Sequence, residues 1–392
     1  MITWRRGEVL AVRREWRGAV ELTVRQIDGG AHGRADGRAD GRADGRADGR
    51  ADGRADGAAA EFRALAYPDL VGRPEVGDTV LLNTTAQTLG LGTGGYALVT
   101  AIPDRLPADP EPGPGHLVKG RYTPLQAVVL GVDEQDSPHH AVLREADDLD
   151  AMPVVVADLH SALPAVCAGV RAIRPSARIA YVMTDGGALP AWFSMTVSAL
   201  RDADWIVGTV TTGQAMGGDL EAVTVHTGLL AARHVLRADI AVVTQGPGNL
   251  GTDTRWGFSG VAAGEAVNAA ATLGGRAVAA LRISDADPRE RHRGVSHHSL
   301  TAYGRVALAA ADVVVPDLDE PLASQLAADV APLRARHRVV GVPVDGLDEA
   351  LRGTPVKLST MGRGLDEDHA HFVASAAAGR HAATLLPPPE HP

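Results

Sequence analysis

From His116 to the end of the chain, short runs rich in β-branched residues alternate with stretches of helical periodicity, and this alternation limits the fold more than any other feature. Val154–Ala157 precedes Ser161–Ile173, Arg178–Met183 precedes Pro190–Asp202, and Ile240–Thr244 precedes Ser259–Leu273. Ala277–Ile283 follows, then Val313–Val315 before Pro321–Arg334 and Arg338–Val342 before Leu347–Arg352. Parallel strands need crossover connections, and helices supply them while covering the sheet. The pattern predicts an α/β domain over 116–385, with a mostly parallel, Rossmann-like sheet and helices on both faces. In the first helix, Leu163, Val166, Cys167, Val170 and Ile173 recur on one face, so Cys167 reads as a core residue.

Residues 1–103 have a different rhythm. Glu8–Val12, Ala19–Gln26, Phe62–Tyr67, Thr79–Asn83 and Tyr96–Ile102 read as strands divided by Gly and Pro turns. So many short strands predict a small all-β, barrel-like domain, because closure removes exposed sheet edges. Residues 33–57 repeat Gly-Arg-Ala-Asp six times. A glycine at every fourth position opposes a helix and the repeat has nothing bulky to bury, so it reads as a disordered, dispensable low-complexity insertion. Five prolines and two glycines between Pro103 and Gly115 predict a stiff linker over 104–115, and 386–392 reads as a Pro-rich tail.

Composition narrows the function classes. A formal net charge of −10, spread along the chain, argues against nucleic acid or an anionic membrane as partner. No apolar run approaches the roughly 20 residues of a membrane helix, and the Arg-studded start lacks the apolar centre of a signal peptide, so a cytoplasmic protein is expected. The lone Cys167 excludes an intrachain disulfide and any multi-thiolate metal site.

In open parallel sheets, ligands bind beyond the carboxyl ends of the strands. The residues that follow the predicted strands are polar and glycine-rich: Asp158-Leu159-His160-Ser161, Thr184-Asp185-Gly186-Gly187, Gly217-Gly218-Asp219 and Gln245–Thr252. Gly246, Gly248 and Gly251 match a dinucleotide fingerprint literally. However, no helix opens at once and Asp253 adds a negative charge, which argues against a nicotinamide or flavin cofactor. A small anion is the more natural ligand for this loop: glycines turn backbone N–H groups toward it, and Asn249, Thr252, Thr254 and Arg255 add donors. His292, His297 and His298 crowd into seven residues, and imidazole both titrates near neutrality and binds divalent metals. Spacing alone decides neither role. Candidate proton-transfer groups are Asp158, His160, Asp185, His297 and His298. Candidate ligand-binding residues are Gly186, Gly187, Gly217, Gly218, Asp219, Gly246, Gly248, Asn249, Gly251, Thr252 and Arg255. Gly90–Gly95 lacks a Walker lysine and reads as a turn, while Lys119 and Arg121 read as dressing an interface between domains.

Eight motifs together resemble an uncharacterised bacterial family, found mainly in actinobacteria and classed as a domain of unknown function. They are Leu82-Asn83-Thr84-Thr85, Leu89–Gly95, Tyr122–Gln126, Asp158–Ser161, Thr184–Pro190, Gly217–Val223, Gln245–Gly248 and Arg291–His298. The resemblance implies one family unit across both domains and carries no activity or cofactor. The expectation is an enzyme acting on a small anionic metabolite, with a homo-oligomer allowed; the alternative is a non-catalytic ligand-binding or regulatory module. An enzyme must bring an acid, a base and an anion donor to one cavity, whereas a sensor needs only recognition groups.

Overall fold

The computed structural model describes residues 1–27, 60–91 and 94–388, so the Gly-Arg-Ala-Asp repeat lies outside the described residues. The chain divides into two compact units, Met1–Gly113 and Pro114–Pro392.

In the first unit, β1 (Trp4–Trp16), β2 (Ala19–Gln26), β3 (Glu61–Ala66), β4 (Thr79–Asn83) and β5 (Ala97–Ala101) close a barrel in the order β1-β2-β3-β5-β4. The first strand is longer than its sequence pattern predicts because it pairs with β4 over Trp4–Glu8 and with β2 over Gly7–Trp16. Register shifts between Val9 and Ala11 and between Val12 and Arg14 bend it, as closure requires. Val9, Leu22, Val24, Ala64, Val80, Leu82 and Val99 fill the interior.

The second unit opens with a hairpin of β6 (Leu117–Lys119) and β7 (Ala127–Val129). Its main sheet comprises β8 (Pro153–Val156), β9 (Ile179–Thr184), β10 (Gly208–Thr211), β11 (Leu220–Glu221), β12 (Ile240–Gln245) and β13 (Arg276–Ala280). The short pair β14 (Ile283–Ser284) and β15 (Gly294–Val295) stands apart, and β16 (Asp312–Pro316) and β17 (Arg338–Val342) complete the main sheet. The order is β11-β10-β9-β12-β8-β13-β16-β17, and every adjacent pair is parallel.

Alternate residues of the central strands enter two separate cores. Val154, Val156, Val182 and Val243 pack under the helix Ala262–Thr272, while Val155, Tyr181, Met183 and Val242 pack under Leu163–Arg171 and His369–Thr384. The connection leaving β8 therefore lies on one face, and that leaving the adjacent β12 lies on the other. Diverging connections of this kind open a crevice at the carboxyl ends of the two strands.

Lys119 lies in the interior of the second unit, which corrects its reading as an interface residue. Its Nζ donates to the carbonyls of Ala215 and Ala222, both at 2.9 Å, with Glu221 Oε2 at 3.5 Å. Burial lowers the lysine's pKa and raises that of Glu221, each opposed by the partner's charge.

Candidate functional site

A small cleft of about 10 Å³ lies at the carboxyl ends of β8 and β12, lined by Asp158, Thr184, Gln245, Ser259 and Gly260 among others. Asp158 directly continues β8, and Gln245 ends β12. The Gln245 Nε2 donates to the Asp158 carbonyl at 2.7 Å and to Asn249 Oδ1 at 3.0 Å. Two acceptors on one side settle the orientation of the amide, leaving Oε1 as its acceptor end. That Oε1 is buried without a hydrogen-bond partner, as is Asp158 Oδ2. Burial pushes the Asp158 carboxyl up to about 6, against the pull of the Arg282 guanidinium.

The histidines do not line this cleft; a fold-back beyond β13 gathers them next to it. Ile283 pairs with Val295 and Ser284 with Gly294, while Ser296 N donates to the Arg282 carbonyl at 2.8 Å. Gly294 makes the return possible: its φ is +65°, and a Cβ there would meet Gln325 and Asp329 side-chain atoms at 2.4 and 2.5 Å. The Ser296 hydroxyl accepts from His298 N at the start of the short helix His297–Thr301 and lies 2.7 Å from His292 Nδ1. His292, His297 and His298 thus form one cluster, with ring centroids 4.3 to 5.0 Å apart. One ligand-capable atom from each lies within 4.8 Å of the others. Phe258 stacks flat on His298 at 3.8 Å, and a Cβ at Gly260 would stand 3.0 Å from Asp158 Cβ and 3.4 Å from the Phe258 ring. Only residues 258–260 therefore separate Asp158 from the histidines.

Four arginines and three aspartates pair around the cluster. Arg282 is buried, with Asp287 Oδ2 at 3.3 Å. Asp287 also receives Arg289 at 2.9 Å and Arg363 at 3.2 Å, and Arg363 binds Asp368 at 2.9 Å. Arg291 is paired with Asp253 at 2.7 Å. Burial, reinforced by Arg282, pushes His292 down to about 2 and His298 to about 3, and it also lowers His297. All three rings are neutral at pH 7.

Other candidate residues have structural partners. His160 is spent on Tyr181 Oη at 3.0 Å and Ser194 Oγ at 2.8 Å, and burial lowers its pKa to about 4. Asp185 accepts from Gln214 N at 2.9 Å, and Asp219 accepts from Thr209 N and Oγ1 and faces Arg201 Nε at 3.2 Å. A Cβ at Gly187 would stand 2.2 Å from the Gly246 carbonyl oxygen, and one at Gly246 would stand 2.3 Å from that of Ala188. These glycines therefore let two loops touch, and Ala188 N donates to Pro247 O at 2.8 Å across the contact. Gly186 similarly admits Gln245 Oε1, at 2.8 Å from its would-be Cβ. Gly217 admits Trp192, and Gly218 admits the backbone of Thr211 and Leu220. Gly251 bridges to Phe258, Thr252 Oγ1 lies 3.2 Å from Thr254 Oγ1, and Arg255 is exposed at the loop tip. Gly248, at φ +88°, has open space where a side chain would go.

The model of a family described as a protein of unknown function (DUF3866) matches residues 63–379. The chain belongs to this family. The family match spans the second half of the barrel unit and nearly all of the α/β unit, so it includes the cleft and the histidine cluster, and it carries no activity. No curated protein and no solved structure matches the chain.

Sequence reasoning flagged Gln245 only as the first residue of the loop Gln245–Thr252 and did not single out Arg282 or Phe258. Arg282 lies inside a run, Ala277–Ile283, assigned wholly to a strand. Only the β14–β15 fold-back sets Arg282 beneath the histidines, and local spacing carries no signal of it. Among the described residues no helix is long and apolar enough to cross a membrane.

Proposed function

We propose that this protein is an enzyme acting on a small anionic metabolite at the carboxyl ends of β8 and β12, with Asp158 as the proton-transferring group. One observation carries the reading. Seven buried side-chain nitrogen or oxygen atoms lack a hydrogen-bond partner among the described residues, and three of them are arginine Nε atoms. The other four are Asp158 Oδ2 and Gln245 Oε1, whose residues line the cleft, and His297 Nε2 and His298 Nδ1, in the neighbouring cluster joined to it through Gly260 and Phe258. Leaving such a group unpaired costs on the order of 1–3 kcal/mol, so a natural fold that gathers four of them is poised to receive something that bonds to them.

The chemistry fits proton transfer. A carboxyl with a pKa of about 6 exchanges its proton near neutral pH, the range a general acid or base needs. Neutral imidazoles donate to or accept from a substrate without the charge that burial penalises. Arg282 supplies the cationic field that favours an anion. The free space in the cleft is about 10 Å³, room for roughly one water molecule, so what it takes up as it stands is a single small group of the substrate.

Thermal-shift measurements on the wild type and Asp158→Asn, against a panel of sugar phosphates, nucleotides, acyl phosphates and short carboxylic acids, test this reading. At least one compound is expected to raise the wild-type Tm by several degrees, to lose that effect in the variant, and to be turned over by the wild type only. Hits that the substitution leaves unchanged would overturn the assignment of Asp158. A compound that binds through Asp158 and emerges chemically unaltered would point to a recognition module.

A further inference from the structure

We infer that His292, His297 and His298 form a binding site for a transition-metal ion of the zinc class, placed beside the cleft. The inference deepens the proposed function, because the ion would adjoin the same cavity.

The first argument is geometric. Three histidines contribute one ligand-capable atom each, all mutually within 4.8 Å, from a segment whose backbone is held by β14–β15 pairing and by Ser296 N donating to Arg282 O. Nitrogens surrounding an ion at the roughly 2.0–2.1 Å typical of imidazole on zinc stand about 3.3 Å apart, so the three rings close in by up to about 1.5 Å when it binds. His298 is 7 % exposed, and its Nδ1 has no partner; the same holds for Nε2 of His297. A buried imidazole kept for packing normally finds a partner for each nitrogen, as His160 does with Tyr181 and Ser194. Here the two unpartnered nitrogens belong to adjacent residues of one cluster.

A second argument comes from the hydroxyl behind the cluster. Metal-bound histidines commonly donate their other ring N–H to an oxygen, which fixes tautomer and ring orientation. Ser296 Oγ has two lone pairs: His298 N uses one at 3.2 Å, and His292 Nδ1–H can use the other at 2.7 Å. That arrangement leaves Nε2 of His292 as its bare, ligating nitrogen. Phe258, stacked on His298 at 3.8 Å, holds the second ring in place.

Donor type selects the ion. Imidazole suits zinc, copper, nickel and iron, whereas magnesium and calcium require oxygen ligands, and the cluster itself contributes none. The arginines around the cluster oppose a cation, and paired aspartates offset part of that opposition. The nearby Arg282, Arg289 and Arg363 converge on Asp287 and Asp368, and Arg291 is paired with Asp253. Three protein ligands leave a fourth position for water or substrate, the pattern of catalytic zinc sites. An ion so held would supply Lewis-acid chemistry at that fourth position.

The test uses the full chain without an affinity tag, stripped by chelator and titrated with zinc, cobalt(II) and magnesium. One equivalent of zinc is expected to bind and raise Tm by several degrees. Cobalt should give the strong visible bands of a tetrahedral site, and magnesium should do nothing. His297→Ala, at the half-exposed edge of the cluster, should weaken zinc binding at least 100-fold while leaving the far-ultraviolet circular dichroism and the Tm of the metal-free protein nearly unchanged; His292→Ala and His298→Ala should weaken it too. Absence of stoichiometric zinc binding, or binding untouched in His297→Ala, would overturn the inference. Its failure is separable from failure of the proposed function: a ligand shift that depends on Asp158 in metal-free protein would sink the metal site and leave the proton-transfer reading standing.

Discussion

Asp158 is 3 % exposed and carries no partner on Oδ2, so ionising it works against the folded state. Its folded pKa, about 6, lies above the value near 4 expected in the unfolded chain. Between these two values the native state keeps the proton while the unfolded state has lost it, so stability falls as pH rises through that window. Two pKa units correspond to roughly 3 kcal/mol. Asp158→Asn removes the titration, and urea unfolding should therefore show the variant as stable as the wild type at pH 4 and more stable by up to roughly 3 kcal/mol at pH 7.5. A variant less stable than the wild type at pH 7.5 would mean that the ionised carboxylate is paired in solution. The glycines of the rim divide on different grounds. Gly187→Ala drives a Cβ to 2.2 Å from the Gly246 carbonyl oxygen, and overpacking against backbone costs about 1–3 kcal/mol. Gly248→Ala meets nothing and bears only the strain of φ +88°, about 1 kcal/mol. The larger loss in Gly187→Ala, read from urea midpoints, checks that the loop contact rather than loop freedom is what the first glycine serves.

At the scale of elements, the alternation of strands and helices was legible because each strand is an apolar run and each crossover helix has one buried face. Every strand read from 116 onward corresponds to one in the sheet, with ends shifted by a few residues at most. The helix His369–Thr384 escaped, although it is the longest among the described residues. Thirteen of its 16 residues are buried, so it has no polar face and no helical period to detect. Its packing depends on glycine instead. A Cβ at Gly379 would lie 2.0 Å from Val166 O, and one at Gly169 would lie 1.8 Å from Ala376 O, so the two backbones are nearly in contact. Gly379→Ala must push the helices apart across a core that includes Val166, Cys167 and Ala376. A loss of about 3 kcal/mol in urea unfolding is expected, well beyond the loss at Gly248. An unchanged midpoint would show that the two helices do not pack so closely in solution.

Over the whole molecule, the two units have separate cores and the parallel sheet supplies the candidate site. In the barrel, β2 and β3 stay paired out to Arg25 and Glu61, and Gln26 N donates to Ala60 O at 2.9 Å, so the hairpin is closed before the repeat begins. Excising residues 33–57 is accordingly expected to leave the Tm within about 2 °C of the full chain, since loop length enters stability only logarithmically. A larger drop would assign the repeat a role in folding. The strand-end motifs fall at the carboxyl edge of the sheet, where the cleft between β8 and β12 lies. They did not distinguish the groups left unpaired, such as Asp158 and His298, from those spent on structure, such as His160, Asp185 and Asp219. Hydrogen-bond partners of that kind come from strands and loops distant in the chain. The central claim is that Asp158 Oδ2, Gln245 Oε1, His297 Nε2 and His298 Nδ1 await a ligand rather than one another. A crystal structure at a resolution that shows ordered solvent tests it most directly. The account predicts density for water, an ion or a bound molecule within hydrogen-bonding or coordination distance of at least two of these atoms. Finding all four paired with protein groups, with the cleft closed between them, would contradict it.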